Sequence, residues 1–218
     1  TTTDNETASF TKSETTQTVT EGAGTDTFTL VLGAQPATDV VLKVASSDTG
    51  EVTVGTADYT FTTSNWDTAQ TVTLTGQVDN IIDGDIQTTV TIAVVDNSSD
   101  DDFDSLANQT VTVTTTDNET AAFAKSEGTQ TVTEASSGTD TFTLKLNAEP
   151  ASNVVLRVTS ADTGEVTVGA ADYTFTAANW DSAQTVTLTG IDDAIVDTDT
   201  QTTVTITVVD DSSDNNFD

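Results

Sequence analysis

The sequence predicts an all-β protein, two tandem antiparallel β-sandwiches of which the second lacks its last strand. Three observations carry this: a long internal repeat divides the chain, apolar residues alternate with threonine at a period of two, and no segment shows helical periodicity.

The repeat comes first. Thr1-Thr2-Thr3-Asp4-Asn5-Glu6-Thr7-Ala8 returns 113 residues later as Thr114-Thr115-Thr116-Asp117-Asn118-Glu119-Thr120-Ala121, and Trp66 returns 114 residues later as Trp180. The extra residue sits where Gly22-Ala23-Gly24 becomes Ala135-Ser136-Ser137-Gly138, a place where a turn absorbs it. A period this long means tandem domains rather than solenoid coils. The domains are expected at 1–113 and 114–218, with a short acidic linker at 114–119. At 218 residues the chain is long enough for each to bury its own core.

The strands follow from the alternation. The first copy reads as strands near 7–20 (split), 26–33, 39–47, 58–63, 69–76, 88–95 and 106–114. Phe28, Leu30 and Leu32 alternate with Thr27, Thr29 and Val31, and the same period carries Val40-Leu42-Val44, Val72-Leu74, Val90-Ile92-Val94 and Val111-Val113. Threonine suits the solvated face because its β-branch favours extended backbone. Seven short antiparallel strands joined by turns point to an immunoglobulin-like sandwich. The second copy ends at Asp218, the counterpart of Asp104, so the counterpart of Ser105–Thr114 is missing. Its sandwich is expected to be incomplete, with an edge for the natural array or a neighbour to cover. The chain reads as a piece of a longer array, whose targeting signals lie outside it.

Composition narrows the chemistry. Lys+Arg 5 against Asp+Glu 36 gives a net charge of -31, which repels nucleic acid and anionic membranes and makes cations the natural partners. Cys 0 removes disulfides, thiol nucleophiles and cysteine zinc sites, and His 0 removes serine–histidine catalysis and imidazole ligation. No run of apolar residues is long enough to span a bilayer.

If the strands alternate in direction, one pole of the first copy collects Glu21, then Asp48, Glu51 and Asp58, then Asp79, Asp83 and Asp85, then Asp117 and Glu119. The second copy repeats the set as Glu134, Asp162, Glu165, Asp172, Asp193, Asp197 and Asp199, and adds Asp192. Crowded carboxylates call for a cation. Hard oxygen ligands favour Ca²⁺, which accepts six to eight of them, over Mg²⁺, which keeps its waters. A solvated acidic rim is the alternative. At the opposite pole Asp100, Asp102 and Asp104, with Asp214, Asn216 and Asp218 in the second copy, have the spacing of the first half of an EF-hand loop. Position six is Ser105 and position twelve is Val111, so the remainder of that loop is absent; an ordinary acidic turn is the alternative.

Val19-Thr20-Glu21, Ala57-Asp58-Tyr59, Asp79-Asn80-Ile81-Ile82-Asp83-Gly84-Asp85 and the closing Asp117-Asn118-Glu119 together resemble the Calx-β family. With Asn65-Trp66 and Ala69-Gln70-Thr71-Val72-Thr73 they are similar to the extender repeats of giant RTX-type bacterial surface adhesins. The resemblance implies a sandwich that binds several Ca²⁺ ions at domain junctions. It implies ligand roles for Glu21, Asp58, Asp79, Asp83 and Asp117, and for Glu134, Asp172, Asp193 and Asp197. The chain departs from the exchanger-type pattern at Asp48–Gly55, and the RTX nonapeptide is absent.

The resulting expectation is a non-enzymatic spacer of a secreted, extracellular, cell-surface adhesin, monomeric, whose partners are Ca²⁺ and neighbouring identical repeats. The main alternative is a module that binds a carbohydrate or other surface, through outward threonines such as Thr71, Thr73 and Thr75. A carboxylate-based glycosidase is a third reading, but the acids lie in polar connections. Tyr59, Tyr173, Trp66 and Trp180 recur at equivalent positions and are expected in core packing.

Overall fold

The computed structural model describes residues 5–135, 137–194 and 198–217. The chain forms two compact units, one taking the first repeat up to Asp79 and from Asp83 to Asn118, the other taking Asn80–Ile82 with the chain from Glu119 onward.

The described residues of the first unit form a sandwich of nine strands: β1 (Phe10–Lys12), β2 (Thr16–Thr20), β3 (Thr25–Leu32), β4 (Val40–Ser46), β5 (Val52–Val54), β6 (Asp58–Phe61), β7 (Gln70–Gly76), β8 (Ile86–Val94) and β9 (Gln109–Thr116). One sheet has the order β1-β3-β7-β5 and the other β2-β9-β8-β4-β6, the immunoglobulin-like division into two layers. The expected split in the first strand is real: β1 pairs with β3 in one sheet and β2 with β9 in the other.

Three features differ from the sequence expectation. The β2–β9 ladder is parallel, with Thr16 opposite Thr112 and Thr20 opposite Thr116, whereas all strands were expected to be antiparallel. The reason is that the first strand keeps its direction when it changes sheets and meets β9 running the same way. A further strand, β5, lies inside what reads as a connection and pairs with the end of β7, Val52 opposite Gly76. Finally, β9 runs to Thr116, so Thr114–Thr116, expected as linker, are strand residues paired with β2.

The alternation sets the core. Phe28, Leu30, Val40, Leu42, Phe61, Val72, Leu74, Val90, Ile92, Val111 and Val113 are fully or almost fully buried, while the threonines between them face outward or sit at the margin. Each such side chain contributes roughly 1.5–3 kcal/mol on leaving water. Tyr59 is buried and Trp66 packs against this core, as expected. Gly76 lets the layers meet: a Cβ there would lie 2.2 Å from the carbonyl oxygen of Thr20.

The second unit contains β10 (Phe123–Lys125), β11 (Thr139–Leu146), β12 (Val154–Ser160), β13 (Val166–Val168), β14 (Asp172–Phe175), β15 (Gln184–Gly190) and β16 (Val204–Val208). Its sheets are β10-β11-β15-β13 and β14-β12-β16. Among the described residues no strand stands where β9 stands in the first unit, as the sequence predicts. Two consequences are visible. Residues 129–133 follow the course of β2 without forming a ladder: Thr131 N donates to Asp140 Oδ2 at 2.9 Å, as Thr18 N does to Asp26 Oδ2 at 3.2 Å. In addition, β16 begins only at Val204, although Thr200 is the counterpart of Ile86, where β8 begins. In the β8 ladders Ile86–Thr89 are paired by β9 alone, Val90–Ile92 by both β9 and β4, and Ala93 and Val94 by β4 alone. Without a ninth strand, only the stretch held by β12 keeps its ladder.

Candidate metal centre

In the first unit the ends of β2, β4, β7 and β9 and the starts of β3, β5 and β8 gather at one pole, with Thr20 opposite Thr116, Ile86 opposite Thr115 and Val52 opposite Gly76. The turn after β4 and the loop between β7 and β8 therefore face each other. Carboxylate oxygens of Glu51, Asp79 and Asp83 lie within 4.8 Å of one another there.

The backbone fixes each contributor. Gln77 N donates to the Glu51 carbonyl at 2.8 Å, which ties the β4–β5 turn to the chain leaving β7. Asp48 shapes that turn: its Oδ1 accepts from Gly50 N at 2.9 Å and its carbonyl accepts from Val52 N at 3.1 Å. Gly84, in the left-handed region at φ +76°, donates its N–H to Asp117 Oδ2 at 2.8 Å, and Asp117 N donates to Asp85 Oδ1 at 3.3 Å. Asp85 and Asp117 thus tie the β7–β8 loop to the exit of β9. Glu21 is 6% exposed, and its N–H donates to the Thr116 carbonyl at 3.2 Å.

The electrostatics point toward a cation. Burial, then the carboxylates of Asp83, Asp79 and Asp48, push the Glu51 carboxyl above its ordinary range, against a lowering contribution from the Thr115 hydroxyl. At about 4.8 Å and an effective dielectric near 20, each ionised pair repels by roughly 3 kcal/mol. The spacing suits Ca²⁺: ligands at about 2.3–2.6 Å from one ion are separated by at most about twice that distance, and the three carboxylates satisfy this bound. Glu51, Asp79 and Asp83 are the residues that would hold the ion.

Asp58 is not part of this group. It opens β6 opposite Lys43, three residues from the end of β4, and therefore about 10 Å down the sheet from the pole. Its counterpart Asp172 makes a two-pronged ion pair with Arg157, Nε to Oδ1 at 2.7 Å and an η nitrogen to Oδ2 at 2.8 Å, which holds its carboxyl below the usual range.

The second unit repeats the scaffold of the site. Ile191 N donates to the Glu165 carbonyl at 2.9 Å and Gly164 N to Asp162 Oδ1 at 2.9 Å. Asp192, Asp193 and Asp199 are exposed, Glu134 and Glu165 are half-buried, and Glu119, also half-buried, belongs to this unit. Among the described residues of this unit no three carboxylates come as close as those of the first. Asp197, the counterpart of Asp83, lies outside the described residues, as does Asp218.

At the other pole Asp100 fastens a loop. Its Oδ2 accepts from the N–H groups of Ala37 at 2.7 Å and Thr38 at 2.8 Å, and its Oδ1 accepts from Asp102 N at 3.1 Å. These hydrogen bonds, that from Thr38 foremost, hold its carboxyl below the ordinary range against burial. Asp214 does the same with Ser152 N at 2.7 Å and Asn216 N at 3.0 Å. Asp102 is exposed. Asp104 is half-buried, with Oδ1 enclosed; that enclosure and the carboxylates of Asp96, Asp101 and Asp100 push it upward. The Asn216 side-chain amide donates to the Ile82 carbonyl at 3.0 Å.

Glu51 is the residue that the family resemblance does not single out, although it stands in the acidic turn. The structure fixes it through β5, Val52-Thr53-Val54, which holds Glu51 at the strand's entrance.

Fold and site together define an acidic, immunoglobulin-like sandwich repeat with a carboxylate cluster at one pole. No protein-family model matches the sequence, and no curated protein matches it. Among solved structures, the chain is similar to the calcium-binding domain CBD12 of CALX1.1, with 15% identity, 82% of this chain and 74% of that one covered, and a TM-score of 0.40. It is similar to CBD12 from CALX1.2, with 13% identity, coverage of 91% and 79%, and a TM-score of 0.37. It is also similar to the CsuC–CsuE chaperone–tip adhesion subunit complex of Acinetobacter baumannii, with 10% identity, coverage of 91% and 98%, and a TM-score of 0.39. Likeness of this size assigns no function.

Proposed function

We propose that this chain is a pair of non-enzymatic, calcium-dependent spacer repeats of a large, secreted bacterial surface adhesin, stiffened by Ca²⁺ and projecting a distal binding domain for adhesion or biofilm formation. The observation that carries the calcium reading is the Glu51–Asp79–Asp83 cluster. Three ionised carboxylates held this close by backbone hydrogen bonds repel one another, and a divalent cation with hard-ligand preferences turns that repulsion into cohesion. The ion would link the β4–β5 turn to the β7–β8 loop, which Asp85 and Asp117 already tie to the exit of β9.

The spacer reading rests on the repeat itself and on the similarity of its motifs to extender repeats. Asp117 and Glu119 directly join the two copies in the chain, so ions held by acids next to this joint would limit its bending. The extracellular location and monomeric state belong to the same proposal.

Calorimetry and small-angle scattering, each with Ca²⁺ and with chelator, test it. Ca²⁺ is expected to raise the melting temperature and narrow the distribution of end-to-end distances. An unchanged melting temperature together with an unchanged maximum dimension would overturn the proposal.

A further inference from the structure

The β7–β8 loop, which supplies Asp79 and Asp83 to the carboxylate cluster, also contains Asp83-Gly84. This is the one Asp–Gly pair in the sequence, and there is no Asn–Gly pair. An aspartate followed by glycine is the pair best suited to forming a cyclic imide, because no side chain shields the glycine nitrogen and the glycine backbone turns freely. The first unit presents the pair openly. Asp83 and Gly84 are both exposed, Gly84 has φ +76°, and a Cβ built on it would meet nothing within 4 Å. The Gly84 nitrogen is the atom that would attack, and its N–H donates to Asp117 Oδ2 at 2.8 Å. The second repeat differs here in sequence: Asp197-Thr198 takes the place of Asp83-Gly84, so a β-branched side chain stands beside the corresponding nitrogen.

We infer that Asp83–Gly84 is a site of spontaneous main-chain rearrangement to isoaspartate, guarded by Asp117 and by the cation of the Glu51–Asp79–Asp83 cluster. The Gly84 nitrogen forms a bond to Asp83 Cγ. The Asp83 carboxyl, carrying a proton from solvent, loses its hydroxyl, which leaves with the amide hydrogen as one water. Water then opens the imide at either carbonyl. Opening at one regenerates aspartate; opening at the other leaves the main chain running through the side-chain carbon. No oxidant or reductant is needed. The isoaspartate product lengthens the main chain by one methylene and attaches the carboxylate directly to Cα, which displaces it from Glu51 and Asp79. Asp117 guards the site because its hydrogen bond with the attacking N–H must be given up first. The cation's part rests on the calcium reading proposed above: an ion engages the Asp83 oxygens, one of which must depart. Loss of the ion thus becomes permanent with time, as fewer and fewer chains keep the carboxylate that would rebind it.

The test stores the whole chain for several weeks, with Ca²⁺ and with chelator, and measures isoaspartate at each aspartate by enzymatic methylation and peptide mapping. In chelator, isoaspartate is expected at position 83 ahead of every other aspartate in the chain, and with Ca²⁺ more slowly. Asp117→Ala, in chelator, is expected to speed the reaction about two- to tenfold, as loss of one ordinary hydrogen bond implies. Gly84→Asn is expected to slow it severalfold with the fold kept, because asparagine tolerates positive φ. Absence of isoaspartate at position 83 in chelator overturns the inference, and so does a rate in Asp117→Ala no higher than in the parent. An equal rate with and without Ca²⁺ overturns the cation's guarding role. If the melting temperature is also insensitive to Ca²⁺, the calcium reading falls with it, whereas the chelator arms judge the rearrangement site and Asp117 by themselves.

Discussion

Glu51 and Asp100 show two uses of a carboxylate in one sandwich. Glu51 is crowded by Asp79 and Asp83, so Glu51→Gln is expected to act in opposite directions. With chelator it should raise the melting temperature of the first unit by relieving repulsion, while Ca²⁺ affinity, read by titration calorimetry, should fall by about tenfold or more, as loss of a charged ligand implies. Asp100 is instead surrounded by donors, and Asp100→Ala is expected to cost about 1–3 kcal/mol in urea unfolding, because it removes a buried carboxylate that accepts hydrogen bonds from Ala37 N and Thr38 N. The pH dependence has two limbs. Glu51 has a raised folded pKa, so in chelator its contribution to stability grows as pH falls through that raised value and is complete below the ordinary carboxylate range. Asp100 has a depressed folded pKa, so its contribution is full above the ordinary value near 3.9 and is lost as pH falls through the folded one. Stability measured from neutral pH downward should therefore rise and then fall, and Asp100→Asn should flatten the acid limb. A monotonic decline from neutrality in the parent chain would contradict the raised value at Glu51.

Between elements, the ninth strand makes the difference. Ile92 lies under β9 and Ile206 is only half-buried, so Ile92→Ala is expected to cost about 2–5 kcal/mol and Ile206→Ala less than half of that. Trp66→Phe and Trp180→Phe backgrounds, each leaving one tryptophan to report on one unit, separate the two transitions. The same comparison shows what the sequence could reveal. Alternation at a period of two located β3, β4 and β6–β9, because one buried face writes itself directly into Phe28-Leu30-Leu32 or Val90-Ile92. It has no arrow, however, so the parallel sense of β2–β9 was not legible. Three residues, Val52–Val54, are too few to stand out from a loop. Register was also hidden: Asp58 follows Glu51 closely in the chain, but β6 pairs with β4 so that Asp58 meets Lys43 instead of the pole. The convergence of Asp79 and Asp83 with the β4–β5 turn was legible because alternation fixes which loops share an end.

For the whole molecule, the net charge of -31 makes ions part of the stability balance. Sodium chloride should stabilise modestly by screening. Ca²⁺ at equal ionic strength should add more, about 2.7 kcal/mol per site at a hundredfold excess over its Kd, seen as a concentration-dependent melting temperature. Equal effects of the two salts would reduce the carboxylate cluster to a screened acidic rim.

The parallel pairing of β2 and β9 has a mechanical consequence. Because the two strands run the same way, tension applied at the start of β2 and the end of β9 pulls them past each other lengthwise. The five residue pairs from Thr16–Thr112 to Thr20–Thr116 would then be loaded together and not peeled one at a time. Stretching single molecules should show the first unit yielding at a higher force than the second, where among the described residues 129–133 forms no such ladder.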